Sequence, residues 1–132
     1  MPFVLDASIA ACWAFDDEDH PVAALALERV RTDEGRVPSL WWFEVRNTLI
    51  VNERRGRLTE SDTAEFLHGL SRLRVTVGRS PSEAEFLRLP ATAASQSVTS
   101  HILNSRGGAP LATLDAALAT AARAERVPLL SY

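Results

Sequence analysis

The sequence predicts an α/β fold, a three-layer α/β/α sandwich around a central, mainly parallel sheet of four to five strands. Short apolar segments alternate with amphipathic helical segments, which is typical of a parallel sheet covered by helices on both faces. Two apolar segments run directly into a carboxylate, at Asp6 and at Asp115. The length of 132 residues predicts one domain, residues 1–132, with a single core.

Two strands and three helices are predicted in the first part of the chain. They are, in order, strand Phe3–Leu5, helix Ser8–Ala14, helix Pro21–Thr32, strand Arg36–Pro38 and helix Leu40–Arg55. Pro21 suits a first helical turn, where its missing N–H has no intrahelical partner to lose. Ser39 is predicted to cap the third helix and Gly56 to end it.

The remaining elements continue the alternation. They are, in order, a helix capped at Thr59 and reaching about Leu73, strand Arg74–Val77, a helix opened by Ser80-Pro81, strand Ala109–Asp115, helix Ala116–Arg126 and strand Val127–Leu130. Thr59 and Asp62 have the spacing of a capping box, in which each side chain bonds the other residue's backbone N–H. The segment from Pro90 to Ser100 is rich in Ala, Ser and Thr and shows little periodicity.

Composition excludes several classes of protein. Apolar residues make up 46% and charged residues 23%, as in ordinary globular domains rather than disordered or fibrous chains. A net charge of −3 argues against a protein that coats nucleic acid by bulk electrostatics. Apolar runs are too short to span a membrane and the N-terminus lacks a signal-peptide pattern, so we expect a cytoplasmic protein without a membrane partner. All 14 basic residues are arginines, which argues against a phosphoacceptor domain that needs a lysine.

Cys12 is the single cysteine, so an internal disulfide is excluded. Without a second cysteine or a histidine expected nearby, it is predicted to be a small buried hydrophobe. The four successive acids from Asp16 to Asp19 can chelate a metal or form a solvated loop. Because neighbouring side chains point in different directions, the loop is the favoured interpretation.

Three carboxylates form the candidate site. Asp6 and Asp115 each follow a strand, and parallel strands present their carboxyl ends at one edge of a sheet. Glu44 is predicted to reach that edge from the long helix, on a face that it shares with Asn47 and that is otherwise directed to the core. Converging carboxylates favour a hard divalent cation. The alternative is that Asp6 and Asp115 each cap the helix that follows.

Four motifs together resemble a known family. They are Val4-Leu5-Asp6-Ala7-Ser8, Pro38-Ser39-Leu40 with Glu44 and Asn47, the turn Arg54-Arg55-Gly56-Arg57-Leu58-Thr59, and Pro110-Leu111-Ala112-Thr113-Leu114-Asp115. In order and spacing they resemble a PIN domain, and within that family the VapC-type ribonuclease toxins of bacterial toxin–antitoxin pairs. The resemblance covers nearly the whole chain. It implies a PIN-like sandwich and a Mg²⁺-dependent endoribonuclease that can also use Mn²⁺.

The resemblance also implies partners and residue roles. The implied partners are an RNA substrate, a cognate antitoxin and a second copy in a homodimer. The implied site consists of Asp6, Glu44 and Asp115 as catalytic, metal-binding carboxylates and Ser8, Asn47 and Thr113 as polar support. Among the many arginines, Arg46, Arg54 and Arg55 are candidates to contact RNA phosphates, although a solvated helix face explains them as well. Trp41, Trp42 and Phe43 cannot all face the core, so one is expected on a partner surface.

The chain departs from the family pattern in one place. A further aspartate is usual there, but Ser97–Ser100 holds no acid, and no Asp or Glu occurs between Glu85 and Asp115. Synonymous codons exist for His101–Ser105 that, read out of frame, encode Ala-Tyr-Leu-Glu-Leu, as in the family. We therefore hypothesise that residues 89–105 are frame-shifted, which the gene's nucleotide sequence would test. The alternative function is a catalytically impaired PIN domain that retains dimerisation and antitoxin binding.

Overall fold

A computed structural model describes residues 2–78, 84 and 108–131, and within them it contains a four-stranded sheet and five helices. The strands are β1 (Phe3–Leu5), β2 (Gly35–Val37), β3 (Val75–Val77) and β4 (Leu111–Ala112), and the helices are α1 (Ala7–Cys12), α2 (Pro21–Val30), α3 (Trp41–Arg54), α4 (Glu60–Leu70) and α5 (Ala116–Ala124). The predicted α/β class is confirmed. The predicted helix opened by Ser80-Pro81 and the segment 89–105 lie outside the described residues, apart from Ala84.

All strand pairs of the described sheet are parallel, in the order β3-β2-β1-β4. Strand β1 is central, with Val4 in register with Arg36 on one side and Leu111 on the other. The predicted last strand is reduced to a parallel bridge between Leu129 and Leu111. Since the strands run the same way, their carboxyl ends share one edge of the sheet, where Asp6 follows β1.

The sheet separates two groups of buried side chains. On one face, Phe3 and Leu5 pack with residues from the first four helices. On the other face, Val4 packs with Leu118 and Ala122 of α5. Successive residues of a strand point to opposite faces, so the alternation along β1 accounts for the three layers.

The orientation of α3 differs in part from the prediction. Trp41 and Val45 are fully buried, and Phe43 is 65% exposed, so one of the three successive aromatic residues lies at the surface as expected. A residue two positions after Trp41 lies about 200° around the helix and cannot share its face. Asn47 is also exposed, and Glu44 is half-buried. The face that Glu44 and Asn47 were predicted to share is therefore partly solvated rather than directed to the core.

Two of the three predicted helix-end signals in α3 and α4 agree with the structure. Thr59 and Asp62 form the predicted capping box, with both hydrogen bonds 3.0 Å long. Gly56 follows the end of α3 with a φ of +77°, a left-handed conformation that glycine adopts without strain. The predicted N-cap position at Ser39 was wrong, because Leu40 occupies that position and makes no side-chain capping hydrogen bond.

No helix in the described ranges is both long enough and apolar enough to cross a membrane.

A pair of matched substitutions in α3 tests which of its faces supports the fold. Val45 is fully buried and Val51 is 41% exposed on the same helix. We expect Val45→Ala to lower the free energy of unfolding by about 2 kcal/mol, because two methyl groups leave the core and a cavity remains. Val51→Ala should change it by less than about 0.5 kcal/mol. Urea denaturation followed by circular dichroism measures both, and equal losses would contradict the described orientation.

Candidate functional site

Asp6 lies at the carboxyl end of the central strand and is 5% exposed. Its backbone N–H donates to the Ala112 carbonyl at 3.0 Å, which holds it against β4. Although Asp6 occupies the N-cap position of α1, its side chain makes no capping hydrogen bond. The interpretation of Asp6 as a helix cap is therefore wrong, and the sheet edge holds a buried carboxylate instead.

Two hydroxyl groups converge on one oxygen of this carboxylate. The Oδ2 atom of Asp6 accepts from Ser8 Oγ and, at 2.8 Å, from Thr113 Oγ1. The Leu114 N–H donates to Ser8 Oγ at 3.0 Å, and the Asp115 N–H donates to Thr113 Oγ1 at 3.0 Å. Because each hydroxyl has a single proton, both hydroxyls accept from an amide and direct that proton to Asp6. We call Asp6, Ser8, Thr113 and Asp115 the sheet-edge network.

Asp115 connects the sheet-edge network to the first turn of α5. Its Oδ1 atom accepts from the N–H groups of Ala117 at 2.9 Å and Leu118 at 3.2 Å. The alternative interpretation of Asp115 as a helix cap is therefore confirmed. Its Oδ2 atom makes no hydrogen bond within residues 2–78 and 108–131, and the side chain is exposed. One carboxylate can thus cap the helix through one oxygen and present the other to a ligand.

Glu44 and Asn47 stand apart from this network. Glu44 lies in the first turn of α3, and the side chains of both residues share no hydrogen bond with the network in the described part of the chain. The carboxylate oxygens of Asp6, Glu44 and Asp115 do not all lie within 4.8 Å of one another there. Of the predicted site, the structure joins Asp6, Ser8, Thr113 and Asp115, while the grouping with Glu44 and Asn47 stays a prediction.

The candidate RNA-contacting arginines are exposed, but they lie at different distances from the sheet edge. The helix α3 begins after the carboxyl end of β2, so its C-terminus points away from that edge. Arg54 and Arg55 lie ten or more residues after Glu44, which is about 15 Å along a helix axis. Arg46 is two residues from Glu44. Arg46 therefore lies about 200° around α3 from Glu44 and does not share its face. It lines a cavity between α3 and α4 together with Glu60 and Thr63.

Arg57 has a role that the sequence did not reveal. Its guanidinium forms ion pairs with Asp17 and Glu18, both at 3.2 Å, and lies 4.1 Å from the centre of the Phe15 ring. It also donates to Asn52 Oδ1 at 3.0 Å. Asp17 and Glu18 lie about forty residues before Arg57 in the sequence, whereas Asn52 is a near neighbour. The turn after α3 thereby contacts the acidic loop, in which Asp16, Asp17 and Asp19 are exposed to solvent as predicted.

Cys12 is buried as predicted, but the expectation that no histidine lies nearby was wrong. The ligand atoms of Cys12, Glu18 and His20 all lie within 4.8 Å of one another. Burial raises the pKa of the Cys12 thiol, and the negative charges of Glu18 and Asp19 raise it further. The spacing of Cys, Glu and His within nine residues was the signal available in the sequence.

No protein-family model matches this chain, and no curated protein matches its sequence. The resemblance to PIN domains therefore rests on the four quoted motifs.

Two substitutions of Asp115 separate its capping role from a ligand role. Asn caps helices about as well as Asp, so Asp115→Asn should lower the free energy of unfolding by no more than about 0.5 kcal/mol, whereas Asp115→Ala should cost about 1 kcal/mol. If the free oxygen binds a cation, Asp115→Asn should weaken Mn²⁺ binding roughly 10-fold or more, since an amide oxygen carries no full charge. Urea denaturation and paramagnetic resonance of free Mn²⁺ measure the two effects. Unchanged Mn²⁺ affinity would show that Asp115 serves as a cap alone.

Proposed function

We propose that this protein is a Mg²⁺-dependent endoribonuclease of the PIN type, the toxin of a toxin–antitoxin pair. The observation that supports it best is the buried Asp6 carboxylate at the carboxyl edge of the parallel sheet, joined through Thr113 to Asp115. In open α/β sheets, ligands bind at this edge. Burying a carboxylate is unfavourable unless it is compensated, so a buried acid at this edge favours a functional role over a structural accident.

The donor atoms of the network fit Mg²⁺ or Mn²⁺. Asp6 and Asp115 offer carboxylate oxygens, and the hydroxyls of Ser8 and Thr113 both donate to Asp6. Oxygen donors of this kind select hard divalent cations over zinc or copper. Glu44, in the first turn of the neighbouring helix, is the third proposed carboxylate.

Each residue of the proposed site would have a distinct task. Asp6, Asp115 and Glu44 would hold the cation, which when bound supplies charge neutralisation at the phosphodiester and a more acidic water. Ser8 and Thr113 fix the rotamer of Asp6 by occupying its Oδ2 atom. The exposed residues Arg46, Arg54 and Arg55 would contact RNA phosphates, without reading sequence.

A second candidate function is a catalytically impaired PIN domain that dimerises and binds an antitoxin. Two observations favour it. The sequence has no acid between Glu85 and Asp115, and the carboxylates of Asp6, Glu44 and Asp115 do not gather within 4.8 Å in the described residues. A surface that suits a protein partner is also present, because the N-cap residue Leu40 and the residues Phe43 and Val51 of α3 are apolar and exposed.

Cleavage of structured RNA with and without Mg²⁺ tests the two functions. We expect Mg²⁺-dependent cleavage by the unmodified chain and a loss of about 10²-fold or more in Asp6→Asn, because the cation site is weakened. Asp16→Asn, the same change at an exposed loop acid, is the matched control and should retain full activity. Circular dichroism checks that each variant is folded.

A variant with an acid restored in the segment that lacks one distinguishes the impaired domain from the active nuclease. Thr99, which lies outside the described residues, is the position where the family pattern has its aspartate. Cleavage that appears only in Thr99→Asp would support the impaired domain. Cleavage by neither chain, or activity unchanged in Asp6→Asn, would contradict the proposed nuclease.

A further inference from the structure

The connection between α1 and α2 carries a second group of metal-ligating side chains, distinct in chemistry from the sheet edge. The Sγ of Cys12, a carboxylate oxygen of Glu18 and a ring nitrogen of His20 all lie within 4.8 Å of one another. Cys12 is 3% exposed, whereas His20 is open to solvent. The group therefore has a buried sulfur and an accessible outer side.

The three residues are held in place from several directions. Cys12 is the last residue of α1, and His20 occupies the N-cap position of α2. The Trp13 indole N–H donates to the Ala23 carbonyl at 2.8 Å, which joins the two helices beside the group. Arg57 binds the Glu18 carboxylate from the turn after α3. The loop is thus fixed at both ends and in its middle.

The upper limit on the separations of the three ligand atoms is compatible with a zinc site. Tetrahedral zinc with sulfur, nitrogen and oxygen ligands places the ligand atoms about 3.4–3.6 Å apart. Separations of at most 4.8 Å need to shorten by roughly 1 Å, within reach of side-chain rotation at the solvent-facing His20 and Glu18. A cavity of about 220 Å³ adjoins the group and is also lined by Asp19.

The charges around Cys12 favour a cation. The carboxylates of Glu18 and Asp19 lie beside the sulfur and create a negative potential there. A bound cation would relieve this potential and stabilise the thiolate. Arg57 forms ion pairs with Asp17 and with one carboxylate oxygen of Glu18, and so balances part of this negative charge.

We propose that Cys12, Glu18 and His20 form a Zn²⁺ site that joins the end of α1 to the start of α2. Thiolate and imidazole ligands select zinc, or cobalt in its place, over magnesium. With three protein ligands, the fourth position is open to water from the exposed side. The site stabilises the helix connection and does not depend on the proposed nuclease activity.

Cobalt titration of the metal-free, reduced full chain tests this proposal. One equivalent of Co²⁺ should produce thiolate-to-cobalt charge transfer in the near ultraviolet and the visible bands of tetrahedral cobalt. Zn²⁺ should abolish them, while excess Mg²⁺ should leave them unchanged. Cys12→Ser should lose the charge-transfer bands, and the exposed variant His20→Gln should bind Co²⁺ at least about 10-fold more weakly.

His68→Gln is the matched control, because His68 is an exposed histidine on α4, outside the group. It should bind Co²⁺ like the unmodified chain, and one equivalent of Zn²⁺ should raise the melting temperature of both but not that of His20→Gln. Absence of charge transfer in the unmodified chain would overturn the proposal. An equal Co²⁺ affinity of His20→Gln and the unmodified chain would also overturn it. Because His20 is exposed, this variant leaves the core unchanged, and the test stays valid even if Cys12→Ser fails to fold.

Discussion

The convergence of two hydroxyl protons on the buried Asp6 carboxylate holds the candidate site together. Ser8 brings the first turn of α1 to this oxygen, and Thr113 brings the end of β4. Hydrogen bonds to a charged group contribute about 1.5–3 kcal/mol each, which offsets part of the cost of removing a carboxylate from water. Through the Asp115 N–H, the same contacts fix where α5 begins. The polar edge of the sheet is therefore one connected unit.

The sequence predicted those features that depend on neighbours within a few residues. The strand that runs into Asp6, the capping box at Thr59 and the glycine stop at Gly56 each have a local physical cause. The face shared by Glu44 and Asn47 was predicted wrongly to point to the core, because the sequence pattern alone does not set the rotation of a helix. The sequence analysis missed the grouping of Cys12 with His20. The loop between these two residues is shaped by Arg57, which lies about forty residues away in the sequence from the loop acids that it binds.

The two proposed cation sites differ in the hardness of their ligands. The sheet-edge network offers oxygen atoms, and the group in the α1–α2 connection offers sulfur and nitrogen. Because hard cations prefer oxygen and zinc accepts thiolate, the two sites need not compete for one metal. The sequence assigned the acids near Cys12 to a solvated loop. In the proposed zinc site, one of them, Glu18, is also a metal ligand. Both sites draw on segments at the ends of α1, the shortest described helix.

The central claim is that Asp6 belongs to a divalent cation site. Anomalous diffraction from crystals of the full chain soaked in Mn²⁺ tests it most directly. The account predicts a manganese peak at a distance of about 2.0–2.2 Å from a carboxylate oxygen of Asp6. A fully occupied manganese ion at another place in the crystal, with no peak at Asp6, would contradict the claim.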